Sequence, residues 1–175
     1  ILEAFFRGGG SMIFVTVGTH EQQFNRLVEY MDKWAIKNDE EVVIQIGYST
    51  YKPRVAKWSK LFTYSEMIKY VEKARIVITH GGPSSFIMPL QIDKTPIVVP
   101  RQKKYDEHVN NHQVKFCKEV ERRIGTIIVV EDIEKLDSVI ENYDDMKRKG
   151  DHTSNNEKFC KELGNIVNEM FKEKR

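Results

Sequence analysis

The stretch Ile76-Val77-Ile78-Thr79-His80-Gly81-Gly82-Pro83-Ser84-Ser85 decides how the rest of the chain is read. Its first four residues form a short run suited to a strand buried on both faces. Gly81 and Gly82 then permit unusual backbone angles, and Pro83 is preset for the first turn of a helix. A strand that passes through a glycine turn into a helix is the repeating unit of a parallel α/β sheet.

The same alternation extends in both directions. Upstream, Ile13-Phe14-Val15-Thr16-Val17 reads as a strand stopped by Gly18, followed by Phe24, Leu27, Val28, Met31, Trp34 and Ala35 at helical spacing. Val42-Val43-Ile44-Gln45-Ile46 is a second strand, stopped by Gly47, and residues 48–58 have no period and read as a loop. Leu61-Phe62-Thr63 is a short strand candidate, with Thr63 and Glu66 matching a capping box before a helix through Lys73. Downstream, Pro96-Ile97-Val98-Val99 predicts a fifth strand, and residues 109–121 a helix with Val109, Phe116 and Val120 inward. Ile127-Ile128-Val129-Val130 predicts a sixth strand, then a helix over 133–143. Ser154 and Glu157 form a second capping box before a last helix with Phe159, Leu163, Ile166, Val167 and Met170 on one face. Short apolar strands alternating with amphipathic helices argue for a Rossmann-like, doubly wound α/β domain with a mainly parallel sheet of about six strands and helices on both faces.

Composition narrows the function. The 175 residues carry 28 Lys+Arg against 26 Asp+Glu, a net charge of +2 spread along the chain. A nucleic-acid binder needs a larger, clustered basic footprint. No apolar run approaches the ~20 residues that span a bilayer, and no secretory signal is visible. Cys117 and Cys160 do not make a disulfide framework and are expected to be reduced thiols of a cytoplasmic protein. Gly8-Gly9-Gly10-Ser11 resembles a flexible linker, and Met12 opens the first strand as a native start would. Residues 1–11 are therefore set apart from the single domain over 12–175. The apolar Ile1-Leu2-Glu3-Ala4-Phe5-Phe6-Arg7 is either a tag scar or a fused partner peptide.

In doubly wound sheets ligands sit beyond the carboxyl ends of the strands, near the point where strand order reverses. The candidates are therefore Gly18-Thr19-His20, Gly47-Tyr48, Tyr64-Ser65, residues 80–85 and residues 101–112. Two of these are glycine turns that feed helices, where free amides and the helix dipole suit a phosphate. A serine-capped turn with no ligand has the same sequence. The G-x-G-x-x-G and Walker A patterns of dinucleotide and ATP sites are both absent. Asp106-Glu107-His108-Val109-Asn110-Asn111-His112-Gln113 gathers carboxylate, imidazole and amide groups suited to sugar hydroxyls, or simply caps a helix. His108 and His112 share a helix face, but no third ligand stands nearby for a metal. His20 is a candidate general base or phosphate donor, and Arg101 a partner for phosphate or carboxylate.

Taken together, these segments resemble the donor-binding half of a GT-B glycosyltransferase, of the glycosyltransferase family 28 C-terminal type. Phe14-Val15-Thr16-Val17-Gly18-Thr19-His20, Phe62-Thr63-Tyr64-Ser65-Glu66-Met67, residues 78–85, Pro96-Ile97-Val98-Val99-Pro100-Arg101 and residues 107–113 carry the similarity, in order. The chain is similar to the soluble catalytic subunit of two-component UDP-sugar transferases, those of capsule and exopolysaccharide synthesis and of dolichol-linked UDP-GlcNAc transfer. Several of the bacterial ones are galactosyltransferases.

The resemblance implies that Gly18 and Thr19 lie beside the donor phosphates and that Phe62, Thr63 and Tyr64 line the uracil pocket. It implies that Gly82, Pro83, Ser84 and Ser85 hold the pyrophosphate at the helix start, with His80 and Gly81 also in the donor-binding set. Glu107, His108 and His112 would face the donor sugar, with Arg101, Asn111 and Gln113 completing the donor-binding set. Relatives commonly place a ribose-binding glutamate where this chain has Met88, so ribose recognition must differ, with Gln91 a candidate. No metal or cofactor is expected, the UDP-sugar being a substrate. A complete GT-B enzyme has two such domains, so the resemblance also implies a membrane-anchored partner subunit that binds a lipid-linked saccharide acceptor. That partner would hold the chain at the inner face of the cell membrane. A non-catalytic regulatory or scaffolding subunit is the alternative.

Overall fold

The computed structural model describes residues 10–147 and 156–172. Six strands form one parallel sheet in the order β3-β2-β1-β4-β5-β6. They are β1 Met12–Thr16, β2 Glu41–Gln45, β3 Lys57–Ser59, β4 Ile76–His80, β5 Ile97–Val99 and β6 Ile128–Val129. The helices are α1 Asn25–Lys37, α2 Tyr64–Lys73, α3 Pro83–Leu90, α4 His112–Ile124, α5 Leu136–Glu141, α6 Tyr143–Met146 and α7 Asn156–Lys172. The Rossmann-like expectation is met. Strand order reverses between β1 and β4, which places a crevice beyond their carboxyl ends.

Alternation along each strand divides the core between the two faces of the sheet. Ile13, Val15, Ile44, Ile78 and Val99 point to one face, where Leu27, Val28 and Met31 of α1 and Leu136 and Ile140 of α5 cover them. Phe14, Val43 and Val77 point to the other, under Tyr70 and Val71 of α2. Val98 shares that second face with Phe86, Phe116, Val120, Leu163 and Ile166 from α3, α4 and α7. Each fully buried aliphatic or Phe side chain contributes about 1.5–3 kcal/mol of transfer free energy. Phe14 stacks on Tyr70 with ring centroids 5.2 Å apart.

The Thr63 capping box is formed. Thr63 Oγ1 accepts from the Glu66 amide, and a Glu66 carboxylate oxygen accepts from the Thr63 amide at 2.7 Å. At the other end of α2, Lys94 Nζ donates to the carbonyls of Val71, Glu72 and Ala74 at 2.5–2.7 Å. Those carbonyls lack helical partners, and the cation also opposes the helix dipole.

Three expectations differ from the structure. The third strand is Lys57–Ser59, inside the stretch read as a loop, and Leu61-Phe62-Thr63 is irregular. As an edge strand with Trp58 37% exposed, it needs no apolar run and leaves none to read. Helix α4 starts at His112, and Val109, expected inward, is 70% exposed. Residues 133–143 divide into a 3-10 turn, α5 and the start of α6. In α7, Leu163 and Ile166 are buried; the Ser154 capping box, and the side chains of Phe159, Cys160 and Met170, lie outside the described residues. Among the described residues, no helix is long and apolar enough to cross a membrane.

Candidate functional site

The crevice between β1 and β4 is floored by one imidazole. His80, the last residue of β4, is 7% exposed, with its ring between Gly18 and Gly82. A Cβ on Gly18 would lie 2.3 Å from His80 Nε2, and one on Gly82 would lie 2.3 Å from Cε1. Gly18 also has φ +76°, in the left-handed region, so it is fixed by conformation and by clearance together. The Gly82 amide donates to His80 Nδ1 at 3.0 Å, which assigns the proton of the neutral ring to Nε2. Nε2 lies 2.7 Å from Ser85 Oγ and donates to it. The serine hydrogen is therefore left to point elsewhere. Burial above all, then the nearby Arg101 charge and the His20 and His108 rings, lower the His80 pKa to about 3 against an opposing hydrogen bond with Gln113. The ring is neutral at pH 7.

Above this floor, α3 begins with Gly82 as its N-cap and Pro83 in its first turn, and no side chain caps it. Ser84 is exposed and Ser85 half-buried. The Ser84 amide, two hydroxyls and the positive end of the helix dipole converge at one place and suit an anion. Gly81 is buried behind them, where a Cβ would lie 2.9 Å from Cys117 Sγ. Cys117 is a buried free thiol whose pKa burial raises to about 12, so it is inert.

The rim carries two more imidazoles. His20 and His108 have ring centroids 6.1 Å apart, and Thr19 beside them is exposed. His20 Nδ1 accepts from the Gln22 amide and His108 Nδ1 from the Asn110 amide, each at 3.3 Å. His80, His20 and His108 thus repeat one device: each ring accepts from the amide two residues ahead and presents Nε2–H. Asn110 in turn accepts from the amide of the half-buried His112 at 3.0 Å. Tyr64, 72% exposed, opens α2. No group of three or more His, Cys, Asp or Glu among the described residues is placed to hold a metal ion.

The profile of the glycosyltransferase family 28 C-terminal domain matches residues 12–170. The chain belongs to this family. Its fold corresponds to one half of a GT-B glycosyltransferase, the donor-binding half. Among solved structures, the kitacinnamycin glycotransferase is similar at 16% identity and a TM-score of 0.58, over 78% of this chain and 35% of that one. The glycosyltransferase SnogD from Streptomyces nogalater gives 18% identity and a TM-score of 0.49, over 71% of this chain and 32% of that one. This chain thus spans about a third of either neighbour. No curated protein sequence matches it.

Within this family 28 domain, two residues expected to face the donor are turned inward. Arg101 is 1% exposed, and its guanidinium donates to the carbonyls of Val17, Gln22, Gln23 and Glu107. Burial lowers its pKa to about 10, partly offset by Glu107. It ties the loop after β1 to the loop after β5 and reaches the crevice only through its field. Glu107, fully buried, accepts from Arg26 Nε at 2.8 Å, from Arg26 Nη2 at 2.9 Å and from the Gln102 amide at 3.0 Å. All of its charge is answered inside the protein, by Arg26 and the Gln102 amide. Asn111 accepts from the Lys103 amide, and Gln113 from the Arg101 amide. The segment rich in hydrogen-bonding groups is largely engaged with itself.

Arg26 was not visible as a site residue, since it lies on α1 far in sequence from its carboxylate. Its position between Phe24 and Leu27, on the edge of an apolar stripe, was the only available hint. Asp32 was equally hidden. Buried in α1, it accepts from the amides of Arg54, Val55 and Ala56, each at 2.9 Å, and from Tyr51 OH at 2.8 Å. Burial alone would raise its pKa, but these four donors bring it below the usual carboxylate value.

Proposed function

We propose that this domain binds a UDP-sugar, with galactose the favoured sugar, and donates it as the catalytic half of a two-component inverting transferase of capsular or exopolysaccharide synthesis. The carrying observation is the His80–Ser85 pair at the uncapped start of α3. A neutral imidazole that donates to Ser85 Oγ leaves the serine hydrogen for a phosphate oxygen. Gly18 and Thr19 approach the diphosphate from β1, Ser84 and the first-turn amides from α3. Buried Arg101 adds positive potential without contact. Tyr64 stands where a uracil ring would be lined, and His108 and His112 where the sugar would lie.

In the transfer, an acceptor hydroxyl attacks the anomeric carbon. The bond from that carbon to the diphosphate oxygen breaks, and UDP leaves with the electron pair. The amides and hydroxyls of the cradle stabilise the charge that develops on the diphosphate. His20, the one local candidate for a general base, presents Nε2–H while its Nδ1 is held by the Gln22 amide. In that tautomer it donates to the leaving group, and the base that takes the acceptor proton comes from the second subunit. No metal is required in this scheme. The second subunit would be membrane-anchored, bind a lipid-linked acceptor and hold this chain at the inner membrane face.

A scaffolding subunit without turnover is the second reading, favoured by Met88. In the position of the ribose glutamate, this side chain packs on the Phe14–Tyr70 cluster. Calorimetric titration with UDP, UDP-galactose, UDP-GlcNAc and NAD tests the main reading. UDP binding with a galactose preference supports it. Binding of NAD in place of UDP overturns it, and turnover assays with the partner present separate catalyst from scaffold.

A further inference from the structure

The open edge of the sheet carries a surface that the crevice does not use. From Tyr48 to Leu61 the chain has four cations, Lys52, Arg54, Lys57 and Lys60, and no carboxylate. Lys57 pairs with Glu41 of β2, whereas Lys52, Arg54 and Lys60 form no ion pair among the described residues. Two aromatic rings lie among them. Lys52 Nζ sits 5.0 Å from the Trp58 ring centroid and Lys60 Nζ 4.7 Å from that of Tyr48, with both rings more than a third exposed.

The loop that displays these groups is built rigidly. Asp32 gathers its amides at 54, 55 and 56 from beneath, while Asn25 Oδ1 takes the amides of Thr50 and Tyr51 at 2.9 and 3.0 Å. Pro53 and Ala56 are buried anchors. With these amides turned inward, Arg54 and Val55 stand outward, Val55 being 53% exposed. An exposed aliphatic between cations, beside a half-exposed tryptophan, is the composition of an interfacial contact with an anionic bilayer. Strand addition by a protein partner fits less well. β3 has three residues, with Pro53 before it, Lys57 in it and Lys60 just after, devices that discourage edge pairing.

We propose that this edge is a direct membrane contact, in which Lys52, Arg54 and Lys60 meet anionic lipid headgroups while Val55 and Trp58 enter the interfacial layer. It would orient the chain on the membrane without a second subunit, and it needs no assumption about the ligand of the crevice.

The test uses the full chain with no sugar nucleotide. Sedimentation is measured with vesicles of phosphatidylcholine alone and with a one-third share of phosphatidylglycerol, at low and high salt. Binding should require the anionic lipid and weaken with salt. Tryptophan emission should shift to the blue. Of the two tryptophans, Trp34 is already buried with its indole N–H on Asp137 at 2.7 Å, so the shift belongs to Trp58. Lys52→Gln with Arg54→Gln should weaken binding about 25-fold, from roughly fivefold per cation near a charged surface. Trp58→Phe should remove the emission shift and keep salt-sensitive binding. Arg148→Gln with Lys149→Gln, in another cationic run of the sequence, should leave binding unchanged. No binding to anionic vesicles overturns the proposal and leaves an acidic protein for this edge. Equal binding to neutral vesicles, or an equal loss in the Arg148/Lys149 pair, also overturns it.

Discussion

The turn after β4 and the segment after β5 look equally suited to a ligand in sequence, and the fold treats them in opposite ways. After β4, glycines remove side chains, a neutral histidine fills the floor and takes the Gly82 amide and the Ser85 hydroxyl oxygen, and the hydrogen of that hydroxyl is turned outward. After β5, Arg101, Glu107, Asn111 and Gln113 satisfy one another and the neighbouring loops. The site is made where the chain withholds side chains, and the segment dense in functional groups becomes its frame. Charge follows the same division: a full ion pair in the frame, and only dipoles and the field of a nearby buried guanidinium in the crevice.

The contrast breaks most visibly at Glu107. Glu107→Ala leaves Arg26 and the Gln102 amide without their acceptor and should cost about 3–5 kcal/mol in denaturant unfolding, while the folded fraction keeps its affinity for UDP. A small stability loss with abolished binding would place Glu107 in the crevice after all. Gly82→Ala should cost about 1–3 kcal/mol by overpacking His80, and abolish UDP binding as well. Gly125→Ala is its control. Unlike Gly82, whose φ is −79°, that glycine has positive φ, +65°, and its nearest neighbour to a Cβ lies 3.9 Å away, so the left-handed penalty of about 1–2 kcal/mol applies without any clash, and binding survives.

Acid sharpens the comparison in a third way. The folded His80 refuses a proton that the unfolded chain accepts, so its contribution is complete above about pH 6.5 and is lost as the pH falls toward about 3. At pH 5 the loss is about 2 kcal/mol, read as a stability difference that disappears in His80→Asn. The smallest stability effect belongs to Ser85→Ala, within about 1 kcal/mol, yet UDP affinity should fall about 10- to 100-fold through the lost hydrogen bond to a charged group. Unchanged affinity in that variant would refute the outward serine hydrogen.

Strands β1, β2, β4 and β5 were legible because each is buried on both faces and leaves an apolar run, and α2 because its capping box is a local pattern. β3 was not, since an edge strand owes its existence to pairing with β2 and to an Asp32 that holds the preceding loop from another element. The start of α4 was misplaced because Val109 is apolar yet exposed. In the site, the glycine turns and His80 were legible from their place after strands. The inward turn of Arg101 and Glu107 was not, because it depends on Arg26 and on carbonyls of the β1 loop, contacts across most of the domain with no periodic signature. The cationic edge at β3 was hidden for the same reason: its cations were visible, but the loop geometry that aims them was not.

The floor of the crevice joins Gly18 to His80, residues from the two sides of the switch point, and this has a consequence for how the chain folds. β1 can pair with β2 through the short α1 connection, but β4 must be brought back from beyond the edge strand, at a larger cost in loop closure. Anion-binding ability is therefore expected to arise late, when β4 docks and the imidazole slides between its two glycines. A ligand of this crevice would act as a template for that step, drawing the folding equilibrium toward the closed sheet in proportion to its concentration.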